Sequence, residues 1–188
     1  MGVGWYNIGM NTKRTQIARK DISAPLRFIL DNGYGPKPMQ DVFHFGEGKA
    51  VKDTVALKEV SPLTWAYDPY GVDEFVRDES HLYAEYHWIF SGYVFNTLTE
   101  SDRVDALQQM LGCLMPDGLA LVAVRTDAVK GVEHDDGVIT KRGTFQTQLD
   151  RDGWLWWFSS RSGLGFISTV LTSKPGYCII RIRRIPER

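Results

Sequence analysis

The sequence is poor in cysteine and lacks any long apolar run. Its 188 residues include two cysteines, Cys113 and Cys178, each in an apolar stretch. This favours small buried side chains over a disulfide framework and fits a reducing compartment. No apolar run approaches the about 18 residues that a membrane-spanning helix needs. The first residues show no basic segment followed by an apolar one, so we predict no signal peptide. We therefore expect a cytoplasmic protein that does not enter a membrane.

The composition is that of an ordinary globular protein, with 43% hydrophobic and 24% charged residues. This length supports one domain with a substantial core, and the sequence shows no internal repeat. We predict a single domain over residues 1–188, in which a basic, helical N-terminal segment (residues 1–35) precedes a core over residues 41–188.

The net charge of −1 hides an uneven distribution along the chain. Residues 1–40 carry a net charge of +4, residues 41–136 of −11, and residues 137–188 of +6. Basic ends that share a surface would attract a polyanion, which makes nucleic acid a candidate partner. The alternative is that the two ends simply neutralise the acidic middle.

The order of apolar segments predicts alternating strands and helices, followed by a terminal hairpin. Ser23 can cap a helix that ends at Asn32 and Gly33. Residues 119–124 form an unbroken apolar run, which is typical of a central parallel strand. The last two predicted strands, residues 166–171 and 177–185, are joined by a hairpin-length connection. This order predicts a three-layer α/β fold with a mostly parallel sheet and a C-terminal antiparallel hairpin.

The chemistry is suggested by two strand ends about 20 residues apart. The apolar run of residues 42–45 leads into Gly46 and Gly48, and the apolar run of residues 63–67 ends at Asp68. Glycines admit a cofactor close to the backbone, and an acid after the second strand can bind ribose hydroxyls. The layout therefore predicts a site for an adenosine-containing cofactor, although an isolated glycine pair is also common in ordinary strand-to-helix turns.

Three cofactor classes share this layout, and the residues around the glycines favour one of them. A Walker A loop needs a longer spacer and Ser or Thr after the lysine, whereas Lys49 is followed by Ala50. A nicotinamide or flavin loop needs a small residue where Val51 stands, and Glu47 would oppose a pyrophosphate. S-adenosylmethionine has no phosphate and carries positive groups, so acids near it are acceptable. We therefore predict S-adenosylmethionine.

Further motifs resemble those of class I methyltransferases. They are residues 45–49, 67–70 and 89–98, with weaker matches at residues 19–27, 122–125 and 142–146, so that the resemblance covers about residues 13–185. Within the class, the chain is most similar to small methyltransferase-like proteins associated with DNA phosphorothioation and to their phage-borne relatives. The resemblance implies a seven-stranded Rossmann-like sheet with the last strand antiparallel, and methyl transfer to an unidentified acceptor.

The resemblance also implies a set of site residues. It assigns the glycine loop and the two following strand ends to the cofactor: His44, Phe45, Gly46, Glu47, Gly48, Asp68, Pro69, Ser91 and Gly92. The candidates on the acceptor side are Tyr93 and Asn96, with packing and turn anchoring as their alternatives.

The chain departs from the family pattern at two positions. His44 stands where an acid is usual, and Ala50 where a third glycine is usual. Glu47 is a candidate substitute for the missing acid. Since the departures could abolish transfer, the alternative function is a non-catalytic binding protein of the same fold that retains cofactor or nucleic-acid binding.

For three other clusters of residues, we favour a structural role over a functional one. Consecutive acids and a histidine at residues 133–136 predict a solvated loop, so we expect no metal site. Trp154, Trp156 and Trp157 predict a helix packed on the sheet, with base stacking as the alternative. The arginines near the C-terminus predict a solvent-facing strand, with phosphate contact as the alternative: Arg181, Arg183 and Arg184.

Overall fold

The computed structural model describes residues 20–49, 51–71 and 73–185. Four α-helices are present in this part of the chain: α1 (Ala24–Asp31), α2 (Val51–Val60), α3 (Glu100–Gly112) and α4 (Arg151–Ser159). The same part holds nine strands: β1 (Val42–Phe45), β2 (Thr64–Tyr67), β3 (Tyr86–Gly92), β4 (Leu114–Arg125), β5 (Gly131–His134), β6 (Gly137–Thr140), β7 (Phe145–Thr147), β8 (Phe166–Lys174) and β9 (Tyr177–Arg184).

Six strands form the main sheet, in the order β2-β1-β3-β4-β9-β8. The first four are mutually parallel, and β9 runs antiparallel to both β4 and β8. The carboxyl ends of β1, β2, β3 and β4 therefore lie along one edge, where open α/β sheets bind their ligands. The predicted fold class, mostly parallel with a C-terminal antiparallel hairpin, is confirmed.

Helices cover both faces of this sheet and give it two cores. On one face, Leu26 and Ile29 of α1 and Leu57 of α2 share a buried cluster with Leu121 and Ile179. On the other face, α3 and α4 pack over a larger cluster, to which they contribute Ala106, Leu107, Met110, Leu111, Trp154, Trp157 and Phe158. Burying apolar side chains on both faces explains the unbroken apolar run over residues 119–124 of β4.

The predicted count of seven strands is wrong for the described residues, in which the main sheet has six. Beyond β2, the chain forms two short 3₁₀ helices, Phe75–Arg77 and Glu79–Tyr83, instead of another strand. Asp73 and Asp78 accept hydrogen bonds from backbone N–H groups two residues ahead. Such local bonds give the backbone an alternative to strand pairing.

A second sheet, in the order β5-β6-β7, occupies residues 131–147. The sequence predicted a polar surface excursion over residues 126–143, and β5 is indeed exposed along its whole length. The strands themselves were not predicted, because they have only three or four residues each and little apolar alternation.

Candidate functional site

The turn after β1 has the backbone geometry that its glycines permit. Gly46 and Gly48 have φ angles of +76° and +58°, a region that other residues seldom adopt. The Gly46 N–H donates to the Tyr67 carbonyl at 2.7 Å, which ties the turn to the end of β2. A Cβ at Gly46 would collide with the side chain of Val94, which follows β3. Three strand ends thus converge on a turn that has no room for a side chain at Gly46.

Asp68 closes this turn from the neighbouring strand. Its carboxylate accepts the N–H of Gly48 on Oδ2 at 2.8 Å and the N–H of Tyr70 on Oδ1 at 2.7 Å. The Asp68 carbonyl accepts the Gly71 N–H at 2.9 Å, so half-buried Pro69 occupies the second position of a turn, where its fixed φ suits it.

The turn is surrounded by buried acids. Glu47, Asp53 and Asp68 are each at most 9% exposed, and Asp53 lies in the first turn of α2, where it accepts the Ser23 N–H at 2.6 Å. Burial raises the pKa of Glu47, the Thr54 hydrogen bond lowers it, and the charge of Asp68 raises it. This environment favours a positively charged ligand over an anion.

His44 lies beneath the turn, on the face of the sheet that α2 covers. Its Nδ1 is 2.8 Å from the Thr54 hydroxyl, which in turn donates to Oε1 of Glu47. Burial lowers the pKa of His44 to about 4, against a smaller opposing effect of Asp53. The imidazole is therefore neutral at physiological pH.

The ends of β3 and β1 bring the remaining predicted cofactor residues to the same edge. Ser91 is fully buried, and its hydroxyl has no hydrogen-bond partner within the described residues. Gly92 is half-buried beside it. The Phe45 side chain points into the core, where its ring meets Phe43 edge-on, so only its backbone borders the turn.

The two acceptor-side candidates have different surroundings. Tyr93 is half-buried, has a φ of +64° and donates its N–H to the Ala123 carbonyl at 2.8 Å. A positive φ is costly for a bulky residue and is often found at functional sites. Asn96 is buried, and its amide bonds both the N–H and the carbonyl of Arg125, at 2.8 and 3.3 Å. Asn96 therefore anchors the end of β4.

Arg103 is a buried charge that the sequence reasoning missed. It is fully buried in α3, donates to the Leu98 carbonyl and the Thr147 hydroxyl, and pairs with the carboxylates of Glu100 and Asp136. These contacts fasten the small sheet to α3. The sequence signal that could have revealed this burial is the position of Arg103 on the apolar stripe of α3, three residues before Ala106 and four before Leu107.

The other clusters follow the structural interpretations in most respects. Trp154 and Trp157 are buried in the core, whereas Trp156 is 70% exposed. Arg184 donates to the Leu114 carbonyl at 2.9 Å, and Arg181 to the Thr169 hydroxyl at 3.2 Å.

The basic residues before Lys20, and Ala50, lie outside the described residues. None of the described helices has the length and apolar character needed to cross a membrane.

No protein-family model matches the sequence, and no curated protein is detectably similar to it. Solved structures do resemble the fold. A complex of DhpI with SAH superimposes with a TM-score of 0.61 at 14% identity, over 87% of this chain and 85% of that one. The 1,6-didemethyltoxoflavin-N1-methyltransferase of Burkholderia thailandensis, with bound 1,6-didemethyltoxoflavin and S-adenosylhomocysteine, gives a TM-score of 0.61 at 13% identity, over 86% of this chain and 77% of that one.

The fold is not confined to proteins described as methyltransferases. A Rhodobacter sphaeroides protein described as a zinc-dependent alcohol dehydrogenase gives a TM-score of 0.62 at 13% identity, over 93% of this chain and 94% of that one. At such identities the likeness establishes architecture alone: the chain has the Rossmann-like fold of S-adenosylmethionine-dependent methyltransferases.

Proposed function

We propose that this chain binds S-adenosylmethionine at the carboxyl edge of β1, β2 and β3 and transfers its methyl group to an acceptor. The observation that carries the proposal is the hydrogen bond from the Gly48 N–H to the Asp68 carboxylate. A dinucleotide site uses N–H groups of this turn to hold a pyrophosphate. Here a carboxylate occupies the Gly48 N–H, and Glu47 adds a second acid, so the turn suits a ligand with positive groups and a ribose.

The residues of the site fit this donor. The Asp68 carboxylate follows β2, where an acid can accept ribose hydroxyls, and Gly48 permits close approach to the backbone. The Ser91 hydroxyl, which has no hydrogen-bond partner in the described part of the chain, offers a polar contact at the β3 end, next to Gly92. We assign the donor's amino-acid part to this side and its ribose to Asp68 and Pro69, while the Phe45 backbone lines the turn and His44 supports it from beneath.

When bound, the donor supplies a methyl carbon that its sulfonium already activates. Transfer breaks the bond from sulfur to the methyl carbon and forms a bond from that carbon to the acceptor, leaving S-adenosylhomocysteine. The protein mainly aligns the two reactants, and a base is needed only for a weak nucleophile. We place Tyr93 on the acceptor side, and Asn96 behind it as the residue that fixes Arg125.

The identity of the methyl acceptor is the less specific part of this proposal. Exposed Arg183 and half-buried Arg181 lie on one side of β9, and this basic strand supports nucleic acid as the acceptor or partner. Kinship with the proteins associated with DNA phosphorothioation, or with phage, and a cytoplasmic location remain predictions. Phosphate contacts weaken steeply with salt, so a gel shift repeated at rising salt concentration tests the nucleic-acid interaction.

A second candidate is a non-catalytic binding protein of the same fold. Asn96 favours it, because the amide of that acceptor-side candidate is already bonded to the Arg125 backbone. Such a protein would bind the donor and leave its methyl group in place.

Calorimetric titration with S-adenosylmethionine and, separately, with NAD tests the binding site. We expect binding of the first and none of the second, and binding that an Asp68→Asn variant loses while an exposed Asp117→Asn control keeps it. Binding of NAD, or equal affinity of both variants, would contradict the assignment. Incubation with methyl-labelled donor and a whole-cell extract then separates the two candidates, since only the transferase labels an acceptor.

A further inference from the structure

A buried chain of hydrogen bonds links three elements beneath the glycine turn. His44 belongs to β1, Thr54 to α2, and Glu47 to the turn between them, and the three side chains are at most 6% exposed. The Thr54 hydroxyl is 2.8 Å from Nδ1 of His44 and donates to Oε1 of Glu47. This series of hydrogen bonds joins His44, which stands where an acid is usual, to Glu47, the only acid within the turn.

The donor and acceptor roles in this series of hydrogen bonds follow from the chemistry of a hydroxyl. An ionised carboxylate only accepts hydrogen bonds, so the Thr54 hydroxyl donates its single hydrogen to Glu47. The hydroxyl must then accept from His44, which requires the imidazole tautomer that carries its hydrogen on Nδ1. The neutral, buried imidazole therefore orients the hydroxyl, and the hydroxyl orients the carboxylate.

One oxygen of this carboxylate is held by the helix. Oε1 of Glu47 accepts from the Thr54 hydroxyl, so Oε2 is the oxygen that we assign to a ligand. The Glu47 N–H also donates to the Tyr67 carbonyl at 3.3 Å, which fixes the backbone from which the side chain extends. A buried carboxylate is stabilised by a cation that reaches it.

We propose that Thr54 and His44 are positioning residues that hold the Glu47 carboxylate in place to receive the ammonium group of the methyl donor. This inference rests on the proposed function, because it requires that the donor's amino-acid end, which we assign beside the β3 end, reaches the turn after the neighbouring strand β1 with its ammonium group. It also explains how the chain dispenses with an acid at the end of β1: the acid is displaced by three residues, and His44 becomes its support.

Two ligands separate this role from a general effect on the site. S-adenosylhomocysteine carries the amino-acid end, whereas 5′-methylthioadenosine shares the adenosine part and lacks that end. We would titrate both ligands into the unaltered chain and into Thr54→Val, which keeps the shape of the side chain and removes the hydroxyl. Thr54→Ser restores the hydroxyl. Thr64→Val serves as the matched control, because Thr64 is equally buried and donates to the Ser61 carbonyl at 2.7 Å, away from the turn.

The expected result is a loss of affinity confined to one ligand. Thr54→Val should bind S-adenosylhomocysteine about tenfold more weakly, as expected for one lost hydrogen bond to a charged group. Its affinity for 5′-methylthioadenosine should change less than about twofold, and Thr54→Ser should recover most of the loss. His44→Phe, which removes the donor to Thr54, should weaken S-adenosylhomocysteine in the same selective way.

The outcomes distinguish this inference from the proposed function. Unchanged binding of S-adenosylhomocysteine by Thr54→Val, or an equal loss for both ligands, would overturn the positioning role and leave the cofactor site standing. Failure of the unaltered chain to bind either ligand would overturn both proposals. If Thr54→Val is unfolded, His44→Phe decides by the same criterion, because it removes the group that orients the Thr54 hydroxyl; Glu47→Gln must show the selective loss as well.

Discussion

Acid should destabilise this protein through His44. In the unfolded chain the imidazole takes up a proton near its ordinary pKa of 6.5, whereas in the folded protein burial lowers that pKa to about 4. Between these two values the unfolded state binds more protons than the folded state, so the free energy of unfolding falls as the pH falls. The contribution is complete above the unfolded value and is lost progressively down to about pH 4.

The size of the effect follows from the two pKa values. Each pKa unit corresponds to about 1.4 kcal/mol, and at about pH 5 the linkage relation gives a loss of about 2 kcal/mol relative to neutral pH. Glu47 acts in the opposite sense. Because its pKa is raised in the folded state, the folded protein takes up that proton first, and this group adds stability as the pH falls.

Urea denaturation of the unaltered chain and of His44→Gln, from about pH 7.5 to about pH 5, isolates the histidine. The variant keeps Glu47 and removes the imidazole, so its stability should fall by about 2 kcal/mol less over this range. His134→Gln serves as the control because that histidine lies on the exposed strand β5, and it should keep the steeper decline. If His44→Gln declines as steeply as the unaltered chain, His44 does not titrate as described.

Two further substitutions test the contacts that surround the site. Arg103→Met should lower the free energy of unfolding by about 2–3 kcal/mol in chemical denaturation. This loss is somewhat less than that for breaking a fully buried ion pair, because Glu100 and Asp136 are partly exposed and regain water. A loss below about 1 kcal/mol would show that the network contributes little. Asn96→Ala should cost about 1–3 kcal/mol, since it removes the partner of the Arg125 N–H, and it should speed hydrogen exchange of that amide. Unchanged exchange at Arg125 would contradict the anchoring role of Asn96.

Elements whose signals are local were predicted well from the sequence. Helix α1 begins after Ser23, whose hydroxyl accepts the Leu26 N–H, and ends at Asp31 with Asn32 as its C-cap before Gly33, as its capping residues indicated. The strand runs ending at Phe45, Tyr67 and Gly92 were also located, because buried parallel strands are continuously apolar. These ends place the glycine turn and Asp68 side by side, as the prediction required.

Features that depend on distant contacts were not accessible from the sequence. The carboxylate of Asp136 was assigned to a solvated loop, but it pairs with an arginine 33 residues away. Likewise, Asn96 bonds Arg125 at a separation of 29 residues, which no local pattern records. The link from His44 to Glu47 passes through Thr54, an ordinary helix residue in the sequence, and becomes apparent only when α2 folds against β1.

The hydrogen bond between Gly48 and Asp68 gives one side chain two roles. It joins residues 20 positions apart and closes the turn, so a substitution at Asp68 that removes the acceptor would leave a buried N–H unpartnered at a cost of about 1–3 kcal/mol. The side chain that we assign to the ribose therefore also stabilises the turn, so a variant without this acceptor should lose stability as well as cofactor binding.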